Sequence, residues 1–224
     1  MKLVHPSMEK HMELEENIVN VLVLEAPELF KVLTQELYSQ CNGGEGSFVL
    51  SHDHNELEID KFADITFNVF ALDCNSRKIV NKLYDNLRKI AYDEEMYLST
   101  QEITSKALGY LEKLAEYTDY SLVHKEEVDI VDFLKIFDMK IDAFVDSVLE
   151  KIVAYMEVMR NFLKIELFIF VNIKSYLTEK ELQKLYKQAA YMKARLLLIE
   201  ATKKEWILTE ERVTVIDKDL CEIY

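Results

Sequence analysis

The chain reads as an α/β protein interrupted by a helical insertion, and three observations carry that reading. Residues 18–24, 167–171 and 196–199 are short, nearly continuous apolar runs, the pattern of strands covered on both faces. Capping or turn residues and then apolar residues at helical spacing follow the first two of these runs. From Ser99 to Phe162 the strand pattern disappears and helical periodicity replaces it.

Taken in order, Ile18 to Leu24 is the first strand, expected at the centre of a sheet. Pro27 opens a helix, because a residue without an N–H loses nothing in the first turn, and Leu29, Phe30, Leu33 and Leu37 recur along it. The Cys41-Asn42-Gly43-Gly44-Glu45-Gly46 stretch ends it. Extended pieces are predicted at Phe48 to Leu50 and at Ile65 to Leu72. Asp73-Cys74-Asn75-Ser76 then caps a helix whose apolar side is Ile79, Val80, Leu83, Leu87 and Ile90. Ser99 and Glu102 have capping-box spacing ahead of Ile103, Ala107, Tyr110, Leu111, Leu114 and Tyr117. Val128 to Phe137 reads as a shorter helix, and Ile141 onward, through Phe144, Val145, Val148, Ile152 and Met156, as a long amphipathic one. The chain returns to strand at Leu167 to Val171, to a helix capped by Thr178 and Glu181, to strand at Leu196 to Ile199, and to a last extended piece at Val213 to Ile216. The domains expected are an α/β head, residues 1–98 and 163–224, and a helical insertion, residues 99–162.

Composition narrows the function classes. With 50% apolar residues, four glycines and two prolines in 224, the chain can bury a full core and has little linker character. Cys41, Cys74 and Cys221 are odd in number and fit no metal-ligand spacing, which points to a reducing compartment. The opening Met1 to Pro6 lacks the apolar stretch of a signal peptide, and no later run is long enough to span a bilayer, so the expectation is a soluble cytoplasmic protein that meets no membrane. A net charge of −14 argues against broad attraction to phosphates, so any nucleic-acid site must be local.

Motifs for catalysis are missing. No Gly-x-x-x-x-Gly-Lys-Ser/Thr occurs, and the Gly43, Gly44, Gly46 cluster follows a helix and lacks the lysine, which makes it a turn. His52-Asp53-His54 could present two imidazoles to a metal but has no third ligand nearby, and reads as a solvated loop. No nucleophile and base stand at suggestive spacing, so no catalytic residue is assigned. Glu116, Asp119, Glu126, Glu127 and Asp129 straddle a turn between helices. They are either hard-cation ligands or a solvated acidic turn whose charges favour a helix N-terminus. Asp93-Glu94-Glu95 is a solvent-facing charge run. Arg77, Lys78, Lys82, Arg88 and Lys89 lie along one helix, and Lys135 and Lys140 flank a junction. They are either an ordinary mixed-charge surface or, if copies faced a common axis, the lining of a locally positive channel.

Val21-Leu22-Val23-Leu24-Glu25 before one helix, Leu72-Asp73-Cys74-Asn75-Ser76 before the next, the helical insertion, and Leu167 to Asn172 with Tyr176-Leu177-Thr178-Glu179 together resemble the small accessory adaptation protein of type II-A CRISPR systems. The similarity covers most of the chain in order and is most specific in the C-terminal third. It implies a P-loop-ATPase-like head lacking Walker motifs, with an inserted elongated α-helical leg domain. It further implies a homotetramer ring whose lysine-lined hole takes double-stranded DNA at free ends, supported by Ca2+. Such a ring acts with the CRISPR integrase complex and the effector nuclease in spacer acquisition. By the same resemblance, Glu126, Glu127 and Asp129 fall in the calcium-binding stretch, although His124 and Lys125 depart from its pattern; Lys140 and Lys164 are the leading DNA-channel candidates, ahead of Arg77 and Arg88. The expectation is therefore a non-enzymatic DNA-binding ring, with a divergent nucleotide hydrolase or an adaptor without DNA affinity as alternatives.

Overall fold

The computed structural model describes residues 1–125, 127–142 and 145–223. The fold is mixed α/β, with seven α-helices and two sheets among the described residues. By contact density the chain divides into two units, Met1–Cys74 with Ala143–Tyr224, and Asn75–Asp142.

The larger unit is built on a six-stranded sheet. Its strands are β3 (Val19–Leu24), β6 (Ala63–Thr66), β7 (Leu167–Val171), β8 (Arg195–Glu200), β9 (Glu211–Ile216) and β10 (Glu222–Ile223), in the order β10-β9-β3-β8-β7-β6. Five are mutually parallel and β10 runs antiparallel at one edge. Every residue of β3, β7 and β8 is buried, which is why these strands are apolar runs without alternation. A second, antiparallel sheet joins β1 (Lys2–Val4), β2 (Met12–Glu13), β4 (Val49–His52) and β5 (Asn55–Leu57) in the order β2-β1-β4-β5. Leu3, Leu14 and Leu50 from this sheet and its flanks share a core with Leu22 and Leu24 of the large sheet, and with Leu33 and Leu37 of α1 (Pro27–Cys41).

Helix α1 starts at Pro27 as expected and ends in a turn in which Gly43 takes a φ of 80°. The Ile65 to Leu72 stretch is shorter as a strand than predicted: β6 stops at Thr66, and Val69–Ala71 forms a 3-10 turn capped by Asn68. His52-Asp53-His54 is the tip of the β4–β5 hairpin, where Asp53 and His54 both take positive φ, as a two-residue primed turn requires. The capping box of α7 (Glu179–Tyr191) is complete, Thr178 and Glu181 each satisfying the other's amide.

The second unit contains α3 (Arg77–Ala91), α4 (Tyr97–Ala115) and α5 (Ile130–Ile136). Asn75 closes it at its base: Nδ2 donates to Ile141 O and Oδ1 accepts from Ile141 N, both at 2.9 Å, where the chain enters and leaves. Tyr84 Oη donates to Leu134 O, and Thr100 Oγ1 to Ala91 O, tying α5 and α4 back to α3.

Three local readings are corrected here. Ser76 holds the N-cap position of α3 but its side chain bonds no helix amide, and Asn75 spends its amide on Ile141. Ser99 and Glu102 make no capping box, because α4 begins two residues earlier; Asp93 Oδ1 takes the amides of Glu95 and Met96 there, and Glu102 pairs with Lys106 instead. The long helix predicted from Ile141 is α6 (Val148–Leu163), which Ser147 caps by accepting from Glu150 N. Phe144, expected inside it, lies outside the described residues. By contact density the units divide at residues 74/75 and 142/143, where the sequence reading set 98/99 and 162/163, with α3 in the smaller unit and α6 in the larger.

None of the helices among the described residues is long and apolar enough to cross a membrane. The buried aromatic on β7 gives a direct test of the sheet core. Phe168 is 1% exposed, so Phe168→Ala is expected to lower stability by about 3–5 kcal/mol, read as a fall in the urea midpoint by far-ultraviolet circular dichroism.

Candidate functional site

The cationic candidates on α3 sit at helical spacing. On α3, Ile79, Tyr84 and Ala91 are buried, with Val80, Leu83 and Leu87 half-buried beside them. Lys78, Lys82 and Lys89 follow at i, i+4 and i+11, which places all three on the opposite, exposed side of the helix. Asp85 falls in the same stripe. Among the described residues these three lysines form no ion pair. Arg88, on the flank, differs: its Nη2 lies 2.7 Å from Asp129 Oδ2. Lys135 pairs with Asp132 at 3.9 Å and Lys140 with Asp138 at 2.5 Å, both solvent-exposed and therefore worth at most about 1 kcal/mol. Lys164 belongs to the larger unit, where it ends α6 in the left-handed conformation and donates to Asn161 O at 3.1 Å. It shares an open polar recess with Arg160, Asn161 and Glu166. The structure thus brings Lys78, Lys82 and Lys89 onto one surface, keeps Lys135 and Lys140 in the same unit, and places Lys164 in the other.

The acidic candidates are not gathered in the same way. Glu116 ends α4, and Asp119 and Glu127 are exposed; Glu126 lies outside the described residues. Asp129 has two other tasks, since Oδ1 caps α5 by accepting from Val131 N at 3.0 Å while Oδ2 holds Arg88. Among the described residues no group of three His, Cys, Asp or Glu side chains is placed to hold a metal ion. The carboxylate chemistry suits a hard cation, but the four described side chains do not assemble a coordination shell.

Comparison with known proteins decides the lineage. The profile of the family described as CRISPR-associated protein (Cas_Csn2) matches residues 40–220, which run through both units. The chain belongs to the Csn2 family. The CRISPR-associated protein Csn2 of Streptococcus agalactiae is 23% identical over 205 residues, covering 89% of this chain and 87% of that protein. Csn2 membership implies a role in CRISPR adaptation.

One polar cluster of this Csn2 chain escapes sequence reasoning altogether. Lys174, in the 3-10 turn after β7, has its ammonium 2.8 Å from Glu211 at the start of β9, with the two side chains 3% and 0% exposed. Tyr186 Oη donates to Glu211 Oε1 at 2.6 Å, Leu208 N donates to Oε2, and the Lys174 ammonium sits 4.7 Å above the centre of the Trp206 ring. Glu200, the last residue of β8, accepts the Lys174 amide at 3.1 Å. Lys174, Tyr186, Glu200 and Glu211 are 11 to 37 positions apart in the chain, so no spacing rule joins them. Their only sequence signal is a lysine and two glutamates at the borders of β7, β8 and β9.

Burial pushes the Glu200 carboxyl up from its ordinary 4.5 to about 7, against the pull of the Lys174 amide and the Lys174 and Lys204 charges, and Glu211 adds to the rise. Burial beside Glu211 likewise drives the Tyr186 phenol well above its usual range. Between pH 4.5 and about 7 the folded chain carries a proton on Glu200 that the unfolded chain has released. The stability from this proton is fully present below pH 4.5 and is lost as pH rises through about 7. Relative to Glu200→Gln, which stays neutral, the native chain is expected to lose on the order of 3 kcal/mol across that window, measured by urea denaturation at a series of pH values. Lys174→Met leaves Glu211 buried without a counter-charge and is expected to cost about 3–5 kcal/mol; unchanged stability in the same assay would show the pair to be dispensable.

Proposed function

We propose that this Csn2-family chain is a non-enzymatic, sequence-independent binder of double-stranded DNA ends, working as a homotetrameric ring in spacer acquisition alongside the CRISPR integrase complex and effector nuclease. The observation that carries the reading is the α3 stripe of Lys78, Lys82 and Lys89, a local concentration of unpaired positive charge in a chain of net charge −14. Such a stripe suits a phosphate backbone, whose neutralisation by lysines gives affinity without base readout. Lys135, Lys140 and Lys164 enter as supporting contacts, since the ion pairs of the first two are weak enough for a phosphate to displace. In this reading the parallel sheet is a P-loop-ATPase-like head without Walker motifs, and the smaller unit is the elongated leg.

The junction after β3 supports the non-enzymatic assignment. Glu25-Ala26-Pro27 leads into α1, so the position offers a carboxylate and a proline without N–H, where a phosphate cradle uses glycine amides and a lysine. Calcium is the cation we assign to the acidic stretch; Glu116, Asp119, Glu127 and Glu126 would supply oxygens, and Asp129 could join only by releasing Arg88.

The reading is tested by a gel shift with linear duplex and a closed circle of the same sequence, at two salt concentrations, with and without a calcium chelator. The expected result is binding to the linear form alone, lost with chelator, falling steeply with salt, and weakened in Lys78→Ala/Lys82→Ala/Lys89→Ala with a shallower salt slope. Equal binding to the circle would replace the ring with an open surface site. No binding to either form would leave the adaptor, and saturable ATP binding would favour the hydrolase.

A further inference from the structure

A recess of about 500 Å3 lies in the larger unit, on the face of the β3–β9 ribbon. Its floor is set by register: Asn20 is opposite Arg212 and Leu22 opposite Thr214, so these four side chains project to one side of the sheet, with Ile216 next along β9. Among the described residues no helix lines this recess; its roof is the segment Met8 to Glu13, with Glu222 of β10 at one end. The volume falls within the range of small-molecule sites, about 300–1,000 Å3, and the apolar part of the walls comes from Met8, Met12, Leu22 and Ile216.

Two polar features specify what would fit. Asn20 is 4% exposed and donates Nδ2 to Glu13 O at 2.9 Å, which leaves Oδ1 with no protein donor among the described residues. No buried side-chain nitrogen or oxygen among the described residues lacks a partner, so Asn20 Oδ1 is open to water, and a ligand supplying a donor there would take the place of water in that hydrogen bond. The rim carries both signs, Lys10 and Arg212 against Glu13 and Glu222, and Arg212 is already engaged by Glu13 O and by Glu15. Balanced charge gives no net attraction to a phosphate or a cation, so a charged ligand has no counterpart. The recess lies on the face of the β3–β9 ribbon and is lined by none of Glu25, Ala26 and Pro27, the turn where a nucleotide triphosphate would be sought.

We propose that this recess is a binding site for a compact, neutral, ring-bearing molecule that donates one N–H or O–H hydrogen bond to Asn20 Oδ1. The apolar walls take the ring, Thr214 lies beside it, and the carbonyl of Asn20 reads the donor.

Indole and N-methylindole test this directly, because they share a shape and differ in the single donor. The full chain is titrated with each and followed by amide chemical shifts in nitrogen–proton correlation spectra. The expected result is saturable indole binding, with shifts at Asn20, Leu22 and Thr214, and about tenfold weaker binding of N-methylindole. Thr214→Trp, which fills the recess, is expected to abolish indole binding, and Asn20→Leu to erase the difference between the two probes. Absence of indole binding up to its solubility limit overturns the proposal, as do equal affinities of the two probes for the native chain or undiminished binding by Thr214→Trp. Should either variant fail to fold, the two-probe comparison on the native chain decides.

Discussion

The constraint on which the rest of the structure depends is the complete burial of β8, a strand that begins with an arginine and ends with a glutamate. Four apolar residues between them can be covered on both faces without cost, but the two terminal charges cannot be left bare. Arg195 is satisfied by Leu14 O, Glu166 and Glu16, which ties the N-terminal segment to the start of the sheet. Glu200 is satisfied by the Lys174 amide, which organises the turn after β7, and Lys174 in turn meets Glu211 and Trp206. The ends of one strand therefore fix where the N-terminal segment, the β7 turn and the start of β9 must lie.

The same logic separates what was legible in the sequence from what was not. Continuous apolar runs identify β3, β7 and β8 because burial on both faces removes the polar positions. The Thr178 capping box and the opening of α1 at Pro27 are local chemistry and could be read locally. The small sheet could not, since β1, β2 and β5 are two or three residues long and β1 finds its partner β4 more than forty positions away, as in the pairing of Leu3 with Leu50. The Ser99 pattern failed because Asp93, six residues upstream, accepts from the amides of Glu95 and Met96 just ahead of α4, so the helix has already begun when Ser99 is reached. A cap motif states what a serine can do, and the competition for the amides decides what it does.

Among the candidate functional residues, the lysine stripe was readable because its members share one helix, where spacing alone assigns a face. The acidic stretch was not, because Asp129 belongs to two structural interactions that no spacing reveals. Lys164 was paired with Lys140 through the family resemblance alone, and it stands on the larger unit, at the end of α6, whereas Lys140 stands on the smaller. The recess over the β3–β9 ribbon depends on a register between strands nearly two hundred positions apart and left no trace in the sequence.

The chain has one tryptophan, and it lies in the larger unit against Lys174. Its emission is therefore a private signal of the region around the β7 turn and the start of β9, while the smaller unit contributes tyrosine but no indole fluorophore. Unfolding followed at tryptophan wavelengths tracks the α/β unit, whereas far-ultraviolet ellipticity also weighs α3, α4 and α5. Coincident transitions by the two optical probes would mean that the units melt as one cooperative body, and separated ones that the helical unit has an equilibrium of its own.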